Sequence, residues 1–195
     1  MEKSNLVTQA VFNTLEKSID YMERDEVLAI PQEHLPLMVL SSSITSPMNF
    51  GISLKRKSVW GHFMWMHKPG LVATQNWTYC EKPIQHYLGF DRRLKFWYNP
   101  DWTELEKGYL KEIIQTWINK PAYTTIYDFV AIAGQALNLV WLQNPATKIC
   151  SDYGSFLKES GVDPDYNLKY PAPDQVDAWL NDNSKYRVYG RYAGE

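Results

Sequence analysis

The apolar positions of this chain switch between a helical and a strand-like period, and the switches predict its elements. Val7, Val11, Leu15, Ile19 and Met22 recur at helical spacing with charges between them, which predicts an amphipathic helix over 5–24. Pro31 and Pro36 bound an irregular link, and Leu37-Met38-Val39-Leu40 predicts a short buried strand. Ser41 to Ile52 is Ser-rich with Pro47 and Gly51, so it predicts loop. Ser58 to Met66 predicts the next strand. His67-Lys68-Pro69-Gly70 follows as a turn with His67 facing solvent, and Leu71 to Tyr79 as the hairpin partner. Arg93 to Tyr98 predicts a further strand, ended by Asn99-Pro100.

Helical signals dominate the second half. Thr103 and Glu106 form a Thr-x-x-Glu capping pattern, and Leu110, Ile113, Ile114, Trp117 and Ile118 supply an apolar face, so 103–119 is predicted helix. Tyr127 to Leu142 predicts a buried helix, broken by Asn144-Pro145. Cys150 to Glu159 predicts a helix with Gly161 as its C-cap, and Asp174 to Leu180 a short terminal helix after Pro171 and Pro173. Helix, then strands, then helices is the order of an α+β fold rather than of alternating βαβ units. One domain over 1–195 is expected, with 1–30 as a helical N-terminal extension.

Composition narrows the function classes. The chain has 195 residues, 45% hydrophobic, enough for one well-filled core. Its 8 tryptophans and 13 tyrosines can fill that core or line a groove. A net charge of −2 gives no electrostatic case for nucleic acid. No run of 18 apolar residues predicts a membrane span. The opening Met1-Glu2-Lys3-Ser4-Asn5 leads into the amphipathic segment rather than a signal peptide, so a cytoplasmic location is expected, with delivery to the cell envelope by another route still open. Cys80 and Cys150 are expected to be reduced thiols. Cys80, His62, His67 and His86 lack paired metal-ligand spacing, so no metal is expected. Asp91-Arg92-Arg93 with Lys95 reads as a solvated strand edge.

The chemistry lies in two stretches. Lys148-Ile149-Cys150-Ser151-Asp152 places a thiol at the first turn of the predicted helix, where the helix dipole favours thiolate. Trp60-Gly61-His62-Phe63-Met64-Trp65-Met66 reads as a strand carrying a possible base. A thiolate and a histidine that takes and returns a proton can cleave an amide or ester, with a third polar group fixing the ring. Such groups converge in space, so their order along the chain is free.

That order, with these local sequences, resembles the circularly permuted NlpC-type papain-like cysteine hydrolases. The resemblance rests on Ser58 to Met66 with Pro69-Gly70, on Tyr127-Asp128 before an apolar helix, on Ile149-Cys150-Ser151-Asp152, and on Tyr170-Pro171-Ala172-Pro173-Asp174 followed by Trp179-Leu180. It covers about Leu37 to Leu180. It implies a papain-like α+β fold, a small antiparallel sheet packed against helices, with Cys150 as nucleophile and His62 as base. The third residue belongs on the strand after the hairpin, where Thr74 falls in ungapped register and Gln75 is its neighbour. Strand alternation lets only one of them face His62, and both stay open. The backbone N–H of Cys150 would serve the oxyanion hole. Tyr127 and Trp60 are the substrate-side candidates.

The function this implies is a cysteine hydrolase of amide bonds acting on a peptide, including a peptidoglycan stem peptide, or on an N-acyl compound. It needs no metal or organic cofactor. The alternatives are an acyl-lipid hydrolase or acyltransferase on the same fold, and a catalytically inactive binding module.

Overall fold

Alternation of side chains along six strands divides the core of this protein into two apolar layers. The computed structural model describes residues 21–43, 58–125 and 149–194. The strands are β1 (Leu37–Ser43), β2 (His62–Lys68), β3 (Leu71–Gln75), β4 (Tyr79–Pro83), β5 (Arg92–Tyr98) and β6 (Arg187–Ala193). They form one sheet in the order β4-β3-β2-β1-β5-β6, and every neighbouring pair is antiparallel. The α-helices are α1 (Arg24–Leu28), α2 (Glu104–Ile118), α3 (Phe156–Glu159) and α4 (Pro173–Asp182). The class is mixed α+β.

On the first face of the sheet, Met38, Leu40, Phe63, Trp65, Ala73 and Trp97 pack against Leu110 and Ile114 of α2, Phe156 and Leu157 of α3, and Val176 and Leu180 of α4. On the second face, Leu37, Val39, Met64, Met66, Val72, Leu94 and Phe96 pack against Val27, Ile30, Leu35, Ile84 and Tyr87. Both layers remove large side chains from water, at about 1.5–3 kcal/mol for each fully buried one. Thr103 caps α2 as its sequence predicts. Its hydroxyl accepts from the Glu106 N–H at 3.3 Å, and the Glu106 carboxylate accepts from the Thr103 N–H at 2.7 Å.

Several expectations are corrected. Ser41–Ser43 extend β1 instead of opening a loop, because all three are buried and pair with β5, and Ser41 also pairs with β2. β2 begins at His62 rather than Ser58, and His67 and Lys68 belong to it, so the turn contracts to Pro69-Gly70 with Gly70 at φ 70. The partner strand stops at Gln75, and Tyr79–Pro83 is a separate strand at the edge of the sheet. The stretch from Cys150 is a 3-10 helix to Ser155 that turns α-helical only at Phe156. α4 is not terminal, since β6 follows it and pairs with β5. That pairing puts β5 inside the sheet, so the Asp91–Lys95 charges do not line an edge.

The N-terminal extension is also revised. Residues 5–20 of the expected helix lie outside the described residues. Residues 21–23 are not helical: Tyr21 bridges Arg191 in parallel, and the Met22 N–H donates to the Arg191 carbonyl at 2.6 Å. Val27 and Ile30 then enter the second layer. Among the described residues no helix is long and apolar enough to cross a membrane.

Candidate functional site

His62 opens β2 and faces the second layer, because it alternates with Phe63 and shares its side with Met64. Thr74 lies opposite Met64 on β3, on that same side. The two side chains meet, with His62 Nε2 2.7 Å from Thr74 Oγ1. Tyr87, in the 3-10 turn Ile84–Tyr87, donates its hydroxyl to Thr74 Oγ1 at 3.2 Å. Its ring stacks on the imidazole at 6.2 Å with a 13° interplanar angle. The Arg92 guanidinium carbon lies 5.9 Å from the Tyr87 ring centre. Burial, and then the Arg92 charge, push the His62 pKa down to about 4, so the ring is neutral at pH 7.

Two further groups share this face. Ser41 sits across from His62 on β1, fully buried, and its hydroxyl has no hydrogen-bond partner among the described residues. Cys80 sits across from Thr74 on β4, and burial raises its thiol pKa.

Cys150 belongs to a different element. It begins the 3-10 segment and is 3% exposed. Asp152 Oδ2 accepts from the Ile149 N–H at 2.9 Å, and the Ser151 hydroxyl donates to the Pro171 carbonyl. The Tyr153 carbonyl accepts from Trp65 Nε1 at 2.9 Å, which seats the segment on the first face of β2. The segment that carries Cys150 and the ring of His62 therefore lie on opposite sides of the same strand.

Gln75 follows the Cys150 segment and not His62. Its Nε2 donates to the Thr125 carbonyl at 2.6 Å, and its Oε1 accepts from the Tyr153 hydroxyl at 2.8 Å. Of the two neighbours on β3, Thr74 is the one that meets the imidazole. Trp60, expected on the substrate side, is 8% exposed and donates Nε1 to Asp177 Oδ2 at 3.0 Å. Asp177 also accepts from Trp97 Nε1 at 2.8 Å and pairs with Lys95 at 2.9 Å, so Trp60 belongs to a buried knot between α4 and the sheet. Lys95, read as solvated, is 6% exposed within it. Tyr127 lies outside the described residues.

His67, expected at a turn and facing solvent, is 2% exposed. Its Nε2 lies 2.9 Å from Glu81 Oε2, which also accepts from Lys68 Nζ at 2.8 Å. Burial lowers its pKa against the pull of Glu81. Among the described residues no group of three or more His, Cys, Asp or Glu is placed to hold a metal ion.

The groups missed from sequence are Tyr87 and Ser41. Tyr87 follows His86 in a stretch without strand or helix period, and Ser41 opens a polar run. The register brings Ser41 opposite His62, and the 3-10 turn after β4 brings Tyr87.

No family model matches the chain, and no curated protein matches it. Among solved structures, the metalloprotein YiiX from Escherichia coli O157:H7 is similar at a TM-score of 0.49 and 14% identity, covering 84% of this chain and 99% of that one.

Proposed function

We propose that this chain is a cysteine hydrolase of amide bonds on a permuted papain-like scaffold, with Cys150 as nucleophile and His62 as base. The observation that supports it is the 2.7 Å contact between His62 Nε2 and Thr74 Oγ1, which gives the imidazole a third residue on the strand after the hairpin. With Nε2 engaged, Nδ1 is the nitrogen left to exchange a proton with a leaving amine, or with a Cys150 thiol that reaches it around His62, the first residue of β2. The steps are thiolate attack on the carbonyl carbon, protonation of the leaving nitrogen by His62, and hydrolysis of the thioester by water. A peptide or N-acyl compound fits that chemistry.

A second reading has its own support. The 3% exposure of Cys150, and its segment's place on the face away from His62, favour a binding module on a retained scaffold. Iodoacetamide labelling against pH, read at Cys150 in wild type and in His62→Ala, separates the two. The hydrolase reading expects fast labelling with an apparent pKa well below about 8.5, lost in the variant. Slow labelling that His62→Ala leaves unchanged overturns it and supports the binding module.

A further inference from the structure

We infer that Tyr87 and Thr74 hold His62 in the neutral tautomer with its hydrogen on Nδ1, so that His62 and the Ser41 hydroxyl form a pair of donors for a carbonyl oxygen. This rests on the second reading, in which the imidazole binds rather than abstracts a proton.

The hydrogen-bond chain sets the direction. The Tyr87 hydroxyl donates to Thr74 Oγ1 at 3.2 Å. Thr74 is fully buried and has one hydroxyl proton to place. His62 Nε2, 2.7 Å away, is the acceptor for it. An imidazole that accepts at Nε2 while neutral carries its hydrogen at Nδ1 and donates there. The stacked Tyr87 ring fixes the plane in which that N–H points.

Ser41 supplies the second donor. It is directly opposite His62, so the two Cβ atoms are about 4.5–5.5 Å apart on one face. A buried hydroxyl without a partner costs stability, and a ligand acceptor removes that cost. The ligand's charge follows from the neighbours. Arg92 lies over Tyr87, but Asp91 Oδ1 is 3.7 Å from Arg92 Nε, and Asp91 Oδ2 accepts from the Ser43 hydroxyl at 2.8 Å. With cation and carboxylate side by side, the site is close to neutral and suits an uncharged amide or acyl carbonyl over a carboxylate.

Nitrogen-15 NMR of the histidine rings in the full chain tests this without turnover. The expected result is a His62 Nδ1–H tautomer at pH 7 in wild type. Tyr87→Phe and Thr74→Val should shift it toward Nε2–H, and Thr74→Ser should restore it. N-acetylalaninamide should move the His62 Nδ1 resonance in wild type and not in Ser41→Ala, a variant expected to unfold at no lower urea concentration than wild type. A wild-type Nε2–H tautomer overturns the inference while leaving the hydrolase reading intact. An Nδ1–H tautomer that ignores the amide at saturating millimolar concentration overturns the donor-pair site.

Discussion

The Tyr153 hydroxyl donates to Gln75 Oε1 at 2.8 Å, and this bond joins the segment carrying Cys150 to β3. Gln75 uses its other end on the Thr125 carbonyl, so the two ends of one amide tie the Cys150 segment and Thr125 to β3. Gln75→Leu removes the acceptor of the Tyr153 hydroxyl and the donor to the Thr125 carbonyl, and should cost about 1–3 kcal/mol. Urea unfolding measures it. The His62 ring resonances should not move, because Gln75 faces away from them.

Asp177 accepts two indole N–H groups and the Lys95 ammonium. Asp177→Ala leaves a buried cation unpaired and should cost about 3–5 kcal/mol. Asp177→Asn should lose less, because it keeps an acceptor for the indoles. The double substitution Lys95→Met with Asp177→Leu should recover most of the loss in urea unfolding, since no charge is then stranded.

Lowering the pH should weaken the fold through His62. In the unfolded chain it titrates near 6.5, and in the folded protein its pKa is about 4. The unfolded state therefore binds the extra proton between those values. Stability is complete above pH 6.5, falls as pH drops, and levels off below 4, with a ceiling of about 3 kcal/mol. His67, also lowered, adds to the loss with the same sign. The difference between wild type and His62→Gln, measured by urea unfolding at pH 7 and pH 4.5, isolates the His62 share.

Gly154 lies in the 3-10 segment with the Tyr166 ring and hydroxyl against the place where a Cβ would stand. Gly154→Ala should cost about 1–3 kcal/mol by overpacking. The check is the thermal midpoint, with Tyr166→Phe in the same background recovering part of the loss because the hydroxyl is the nearest obstacle.

The parts of this fold legible in the sequence are those with local causes. Leu37 to Leu40 is uniformly apolar and central, Arg93 to Tyr98 is a strand bounded by Asn99-Pro100, and Thr103 with Glu106 announces α2. β4 hid because Glu81, Lys82 and Pro83 are what an edge strand carries to discourage further pairing. β6 hid because Gly190 and two arginines interrupt its alternation. At the site, the twelve-residue step from His62 to Thr74 across a hairpin was legible. The choice between Thr74 and Gln75 needed the Met64–Thr74 register. The side of β2 on which Cys150 falls depends on how its segment docks on Trp65, which no local pattern encodes.

The stitch of Tyr21 and Met22 to Arg191 joins the beginning and the end of the described chain. Val27 and Ile30 are made early, yet the layer they enter also contains Tyr192 of β6. That layer cannot seal until β6, the last-made element described, is available to pair with β5. Such sequence-distant closure slows folding and leaves apolar surface uncovered during synthesis. During its own production the protein therefore spends an interval as a half-finished sandwich, dependent on its surroundings to keep one side of the sheet from finding another chain.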